Sequence, residues 1–151
     1  MKFKDTHSRD MFCLFVGKQI NRGMSRKVYN MRQESDSNKV IKVESVGGVF
    51  QNIIEWSIWE NVRYTKFSKW FAPCYDISVN GIYLIQHKVQ RIPKEDYPEL
   101  LPSFFNDFKY FNFGVIVENN KKRFVCCDYG IVDCVGMLNN RMKKVKWTDY
   151  E

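Results

Sequence analysis

KVIKVESVGGVFQNIIEWSIWENVRYTK, residues 39–66, sets a short apolar strand ahead of a long helix, and each of the two elements carries one charge out of place. Lys39 to Val43 reads as a strand of β-branched residues interrupted by Lys42. Gln51 to Lys66 contains neither Pro nor Gly and is long enough for four helical turns. At about 100° per residue, Ile54, Ile58 and Val62 fall on one side of that helix with Trp59 at its margin. Glu55 projects within the same apolar sector, whereas Glu60 points nearly opposite. A buried charge left unpaired costs on the order of 3 to 5 kcal/mol. Glu55 therefore either meets a cation or lies at a solvated edge. Lys42 either meets an anion and a carboxylate or faces water from an edge strand.

Working outward, Met11 to Val16 and Lys27 to Met31 read as two further strands, separated by polar stretches that contain Gly23 and the turn Ser35-Asp36-Ser37-Asn38. Tyr75 to Asn80 and Ile82 to Gln86 flank Asn80-Gly81, a dipeptide suited to a type I′ hairpin. Pro93, Pro98 and Pro102 punctuate the next segment, leaving room for a helical piece only within Tyr97 to Phe105. Phe113 to Glu118 and Arg123 to Cys127 form a second hairpin around Asn119-Asn120. After Gly130 the chain is polar and basic, and this end is expected to be solvated. The pattern is α+β, an antiparallel sheet with one long helix.

The 151 residues, 44% hydrophobic and 16% aromatic, suffice for one sizeable core and are read as a single domain over 1–151. No apolar run is long enough to span a membrane and the first ten residues are charged, so a soluble, cytoplasmic protein without membrane contact is expected. Five cysteines without a CxxC pair, and histidines at no zinc-ligand spacing, point to reduced thiols rather than a metal site. The net charge of +7 suits acidic partners or nucleotide phosphates. No interleaving of aromatics and basic residues suggests a single-strand binder, so nucleic acid is not the expected partner.

Four local motifs, in order, resemble those of protein kinases. Asn21-Arg22-Gly23-Met24-Ser25-Arg26-Lys27-Val28-Tyr29 is similar to the glycine-rich loop, with Gly23 and Val28 on the middle glycine and the valine, and with Asn21 and Arg26 replacing the outer glycines. Val40-Ile41-Lys42-Val43 resembles the strand whose lysine contacts phosphates and pairs with a helix glutamate, here Glu55. Asp107-Phe108-Lys109-Tyr110-Phe111-Asn112 resembles the catalytic loop, although Phe105 and Asn106 replace its usual His and Arg. Asp128-Tyr129-Gly130 resembles the metal-binding DFG triplet. The resemblance runs from about Ile20 to Gly130.

The resemblance implies a kinase-like N-lobe and hinge over 1–89, a catalytic loop and DYG hairpin over 90–130, and a basic tail over 131–151. Too few residues separate Val89 from Asp107, or follow Gly130, for the helical substrate lobe, so a truncated catalytic lobe is expected. By the same resemblance ATP would contact Gly23, Val28, Lys42 and the hinge residues Gln86, His87 and Lys88. Asn112 and Asp128 would hold Mg²⁺, Asp107 would take the acceptor's proton, Lys109 would stabilise the transferred group, and Lys42 with Glu55 would orient the phosphates. The implied activity is transfer of the γ-phosphoryl group to a hydroxyl. The acceptor stays open among protein hydroxyls, small molecules and the chain itself. The alternative is a pseudokinase-like interaction or inhibitor module that binds a protein partner without catalysis, and a second copy of the chain is an admissible partner in either case.

Overall fold

The structure, a computed structural model, describes residues 8–45, 48–139 and 141–149. It is α+β, and all its named strands pair antiparallel. Two compact units form, one within residues 1–68 and 72–88, the other from 69–71 and 89–151. Among the described residues no helix is long and apolar enough to cross a membrane.

The first unit begins with α1 (Ser8–Phe15) and continues through β1 (Val16–Arg22), β2 (Arg26–Met31), β3 (Lys39–Glu44), α2 (Gln51–Val62), β4 (Cys74–Ile77) and β5 (Tyr83–His87). The sheet order is β1-β2-β3-β5-β4. Strand alternation sorts its side chains onto two faces. One face carries Met31, Ile41, Tyr83 and Ile85, a core against which Phe12 and Phe15 of α1 pack. The stacked Phe12 and Tyr83 rings lie 4.7 Å apart. The other face carries Arg26, Val28, Val40, Lys42, Glu44, Leu84 and Gln86, because Val28 pairs with Lys42, Lys42 with Leu84, and Val40 with Gln86. Residues of α2 bond to this second face.

Several sequence-based expectations are corrected. Met11 to Val16, expected as a strand, is helical through Phe15. The spacing of three that brings Phe12 and Phe15 onto the sheet also fits a helix, and a short apolar run does not distinguish the two periods. The long helix stops at Val62, where Thr65 donates to the Val62 carbonyl through both its N–H (2.9 Å) and its hydroxyl (2.7 Å). Its buried side runs through Asn52, Glu55, Ile58, Trp59 and Val62, while Ile54, expected within it, is 37% exposed. The hydrogen bonds of Asn52 and Glu55 to the sheet set this rotation. Glu60 is exposed and pairs with Arg63.

At Asn80-Gly81 the turn is not type I′, since only Gly81 has positive φ (74°). Asn80 works through its side chain instead, accepting from the Ser78 hydroxyl at 2.6 Å and the Ile82 N–H at 3.1 Å. Positive φ at both central residues occurs in the other hairpin, at Asn119 (50°) and Asn120 (61°).

The second unit contains β6 (Leu100–Pro102), β7 (Phe113–Glu118), β8 (Lys121–Cys126) and β9 (Met142–Lys144), paired as β6-β9 and β7-β8. No α-helix forms within Tyr97 to Phe105. Its buried Leu101 lies in β6, where pairing with β9 replaces the expected helical hydrogen bonds. Aromatic rings build the core. Phe71 lies 5.8 Å from Phe104 and 4.9 Å from Tyr129, and Phe113 stacks on Phe124 at 5.7 Å. The basic end is not simply solvated, because β9 pairs with β6 and the Trp147 ring lies 5.2 Å from Phe113. At Gly114 a Cβ would come within 2.4 Å of the Gln90 carbonyl oxygen, so only glycine allows this strand to meet the Val89-Gln90 backbone.

Candidate functional site

In the first unit, β2, β3 and α2 bring together four polar side chains that are all less than 10% exposed: Arg26, Lys42, Asn52 and Glu55. Lys42 Nζ donates to Glu55 Oε2 at 2.9 Å and to Oε1 at 3.2 Å. The helix carboxylate thus meets the strand lysine. Arg26 joins the pair, donating to Glu55 Oε1 at 2.7 Å and to Asn52 Oδ1 at 3.2 Å. Asn52 Nδ2 donates to the Lys42 carbonyl at 3.1 Å and the Ile82 carbonyl at 2.8 Å, and the Asn52 N–H donates to Glu44 Oε1. That last bond supplies the N-terminal cap of α2, whose preceding residue, Phe50, offers no capping side chain.

Sequence reading missed Arg26, Glu44 and Asn52. Strand parity could have found Arg26 and Glu44, since both share a face with Lys42, and Asn52 lies three residues before Glu55 on the same helix side.

Burial alone would push the Glu55 carboxyl up, yet Arg26 and Lys42, by charge and hydrogen bonding, outweigh it and hold the group at about 2, below its ordinary 4.5. A depressed carboxyl contributes stability above the ordinary value that is lost as pH falls toward the folded one. We therefore expect roughly 3 kcal/mol of stability to disappear between about pH 5 and pH 2. Thermal unfolding followed across that range checks this, and Glu55→Gln should flatten the dependence.

The remaining first-unit candidates lie on the strands of this sheet or just beyond their ends. Val28 lies directly across from Lys42. Gly23 sits in the β1-β2 turn, where its N–H donates to the Arg26 carbonyl at 2.8 Å and a Cβ would meet nothing nearer than 3.7 Å. The fold does not itself demand glycine there. Gln86 is fully buried beside Val40, and its Oε1 has no hydrogen-bond partner among the described residues. The His87 N–H donates to the Pro73 carbonyl at 2.8 Å and the Lys88 N–H to the Asn38 carbonyl at 2.7 Å. Both are therefore spent within the unit. His87 Nδ1 shares a 2.6 Å hydrogen bond with the Tyr75 hydroxyl.

In the second unit, Asp107 and Lys109 pair at 3.4 Å, both only partly exposed. A tight turn over Tyr110–Asn112 follows, closed by the Asn112 N–H on the Lys109 carbonyl at 3.0 Å. The buried Asn112 then reaches back, donating through Nδ2 to the Asp107 carbonyl at 3.3 Å. Tyr97 clamps the turn, its hydroxyl donating to the carbonyls of Tyr110 (2.8 Å) and Phe113 (3.1 Å). Burial pushes that hydroxyl's pKa up and keeps it a donor.

The β7-β8 ladder places Asn112 and Asp128 at its same end. Phe113 pairs with Cys126, and the Cys127 N–H donates to the Asn112 carbonyl at 2.7 Å, one residue before Asp128. Asp128 is exposed and Tyr129 is buried in the aromatic core. Among the described residues no three His, Cys, Asp or Glu side chains converge as a metal cluster, so a cation here would rest on the Asn112 amide and Asp128 carboxylate oxygens with ligand or water completing its shell. No protein-family model matches this chain, and no curated protein matches it.

Proposed function

We propose that the chain is a minimal protein-kinase-like phosphotransferase that binds Mg-ATP and passes the γ-phosphoryl group to a hydroxyl, its first unit corresponding to a kinase N-lobe. The observation that carries this reading is the buried Lys42-Glu55 pair at 2.9 Å, a strand lysine held by a helix carboxylate. A lysine so held presents a fixed cation to phosphate oxygens with its side-chain entropy already spent. In the second unit, Asp107 is the group that takes the acceptor hydroxyl's proton, and Lys109 offsets charge on the transferred group. Asn112 and Asp128 supply hard oxygen donors that fit Mg²⁺, whose role when bound is to neutralise phosphate charge.

Thermal unfolding with and without Mg-ATP tests the binding step. At about 100 times its Kd, the nucleotide should stabilise the protein by about 2.7 kcal/mol, a rise of several degrees. An unchanged midpoint at millimolar Mg-ATP would reject the reading.

A second reading, a protein-docking module without catalysis, draws on one feature of the first unit. Phe50 is 64% exposed, holds a left-handed φ of 59° and lines a cavity of about 200 Å³ together with Ile53 and Ile82. A non-glycine residue kept in that conformation with its ring in water suits a contact surface. Mg-ATP binding without phosphoryl transfer would favour this second reading.

A further inference from the structure

The C-terminal segment lies along the Asp107–Lys109 stretch and is fixed there at several successive points. β9 pairs with β6, and the Val145 N–H donates to the Glu99 carbonyl at 2.8 Å. Trp147 follows, its Nε1 donating to the Pro98 carbonyl at 2.9 Å and its ring stacked 5.5 Å from Tyr110. Next comes Thr148, whose N–H donates to the Phe108 carbonyl at 3.0 Å while its own carbonyl accepts from the Tyr110 N–H at 3.2 Å. These two bonds make a parallel bridge between Lys109 and Thr148. Beyond it, Asp149 pairs with Lys94. The Thr148 position is thus set from both sides.

The Thr148 side chain is exposed, and among the described residues its hydroxyl makes only a long 3.4 Å contact to the Phe108 carbonyl. Phe108 is the residue between Asp107 and Lys109. A nucleophilic hydroxyl is therefore carried by the fold onto the backbone of the segment that supplies the candidate base and the candidate phosphate-neutralising lysine. That contact is near the distance limit for a hydrogen bond and costs little to release. Intramolecular placement of this kind replaces the entropy that a separate acceptor would lose on binding.

We propose that Thr148 is an internal phosphoryl acceptor, modified by the chain's own transfer activity. This rests on the phosphotransferase reading above and names its acceptor. Thr148 Oγ1 attacks the γ-phosphorus of ATP and forms a new P–O bond. The bond from that phosphorus to the β,γ-bridging oxygen breaks, ADP leaves with its electron pair, and the hydroxyl proton passes to the Asp107 carboxylate. Because acceptor and base belong to one chain, the reaction is first order in protein.

The test incubates the full chain with Mg-ATP and maps phosphate by peptide mass spectrometry, with dephosphorylated casein as an added acceptor in parallel. The expected result is phosphate on Thr148 at a rate independent of protein concentration, retained in Thr148→Ser, absent from Thr148→Ala and slowed at least about a hundredfold in Asp107→Asn. Phosphate on casein with none on Thr148 would overturn this inference and leave the phosphotransferase reading standing. Labelling of Thr148 that accelerates with protein concentration would also overturn it, since the acceptor would then be presented by a second copy. If ATP is not consumed and no phosphorylated product forms, the phosphotransferase reading itself falls, and this inference with it.

Discussion

Glu55→Ala is expected to lower the unfolding free energy by about 3 to 5 kcal/mol, seen as a fall in the urea midpoint with little change in slope. The substitution leaves two cations, Arg26 and Lys42, each less than 10% exposed, without the carboxylate that both bond. Their desolvation then loses that counter-charge. It also frees Arg26 to pull on Asn52, whose amide ties α2 to the backbone of Lys42 and Ile82. Lys42→Met should be milder, about 1 kcal/mol, because Glu55 keeps its 2.7 Å bond to Arg26. The asymmetry between the two variants is the diagnostic. Equal losses would mean that Glu55 is held chiefly by Lys42 and that Arg26 contributes little.

Asp107→Asn should reduce phosphoryl transfer by about 10²- to 10⁴-fold, the usual worth of a positioned general base. The amide preserves the size of the side chain and leaves the Asp107 backbone carbonyl free to accept from Asn112, so the turn that carries Lys109 and Asn112 persists. Mg-ATP should accordingly still raise the thermal midpoint of this variant. That combination, binding retained and transfer lost, separates a chemical role for Asp107 from a structural one. A variant that transfers at the parental rate would take Asp107 out of the mechanism.

Physical cost made part of the first unit legible in the sequence. Lys42 in an apolar strand and Glu55 on an apolar helix side are each expensive alone, and the structure brings them into one ion pair. The antiparallel pairing of β2 with β3 follows from their alternation and the polar turn between them. The third partner was less visible. Arg26 was read as a replaced glycine of a loop, whereas it begins β2 and turns inward to Glu55. Local pattern also misjudged α1, where a run of apolar residues fits both helix and strand until Phe12 and Phe15 find the sheet.

The second unit was harder to read because its determinants are distant in sequence. β6 exists through pairing with β9, Leu101 opposite Lys143, and no window around Pro98 and Pro102 contains that partner. For the same reason, the C-terminal segment looked like a solvated basic end, although Trp147 and Thr148 bond back to Pro98, Phe108 and Tyr110. The β7-β8 hairpin was legible from its Asn119-Asn120 turn, and with it the approach of Asn112 to the residues just before Asp128.

Incubation of the wild-type chain with γ-labelled ATP and Mg²⁺ most directly tests whether this molecule transfers phosphate. Label is expected covalently attached to a hydroxyl of the chain or of an added protein, and to be abolished when the metal is chelated. Intact γ-labelled ATP after prolonged incubation, with no label on any acceptor, would contradict it.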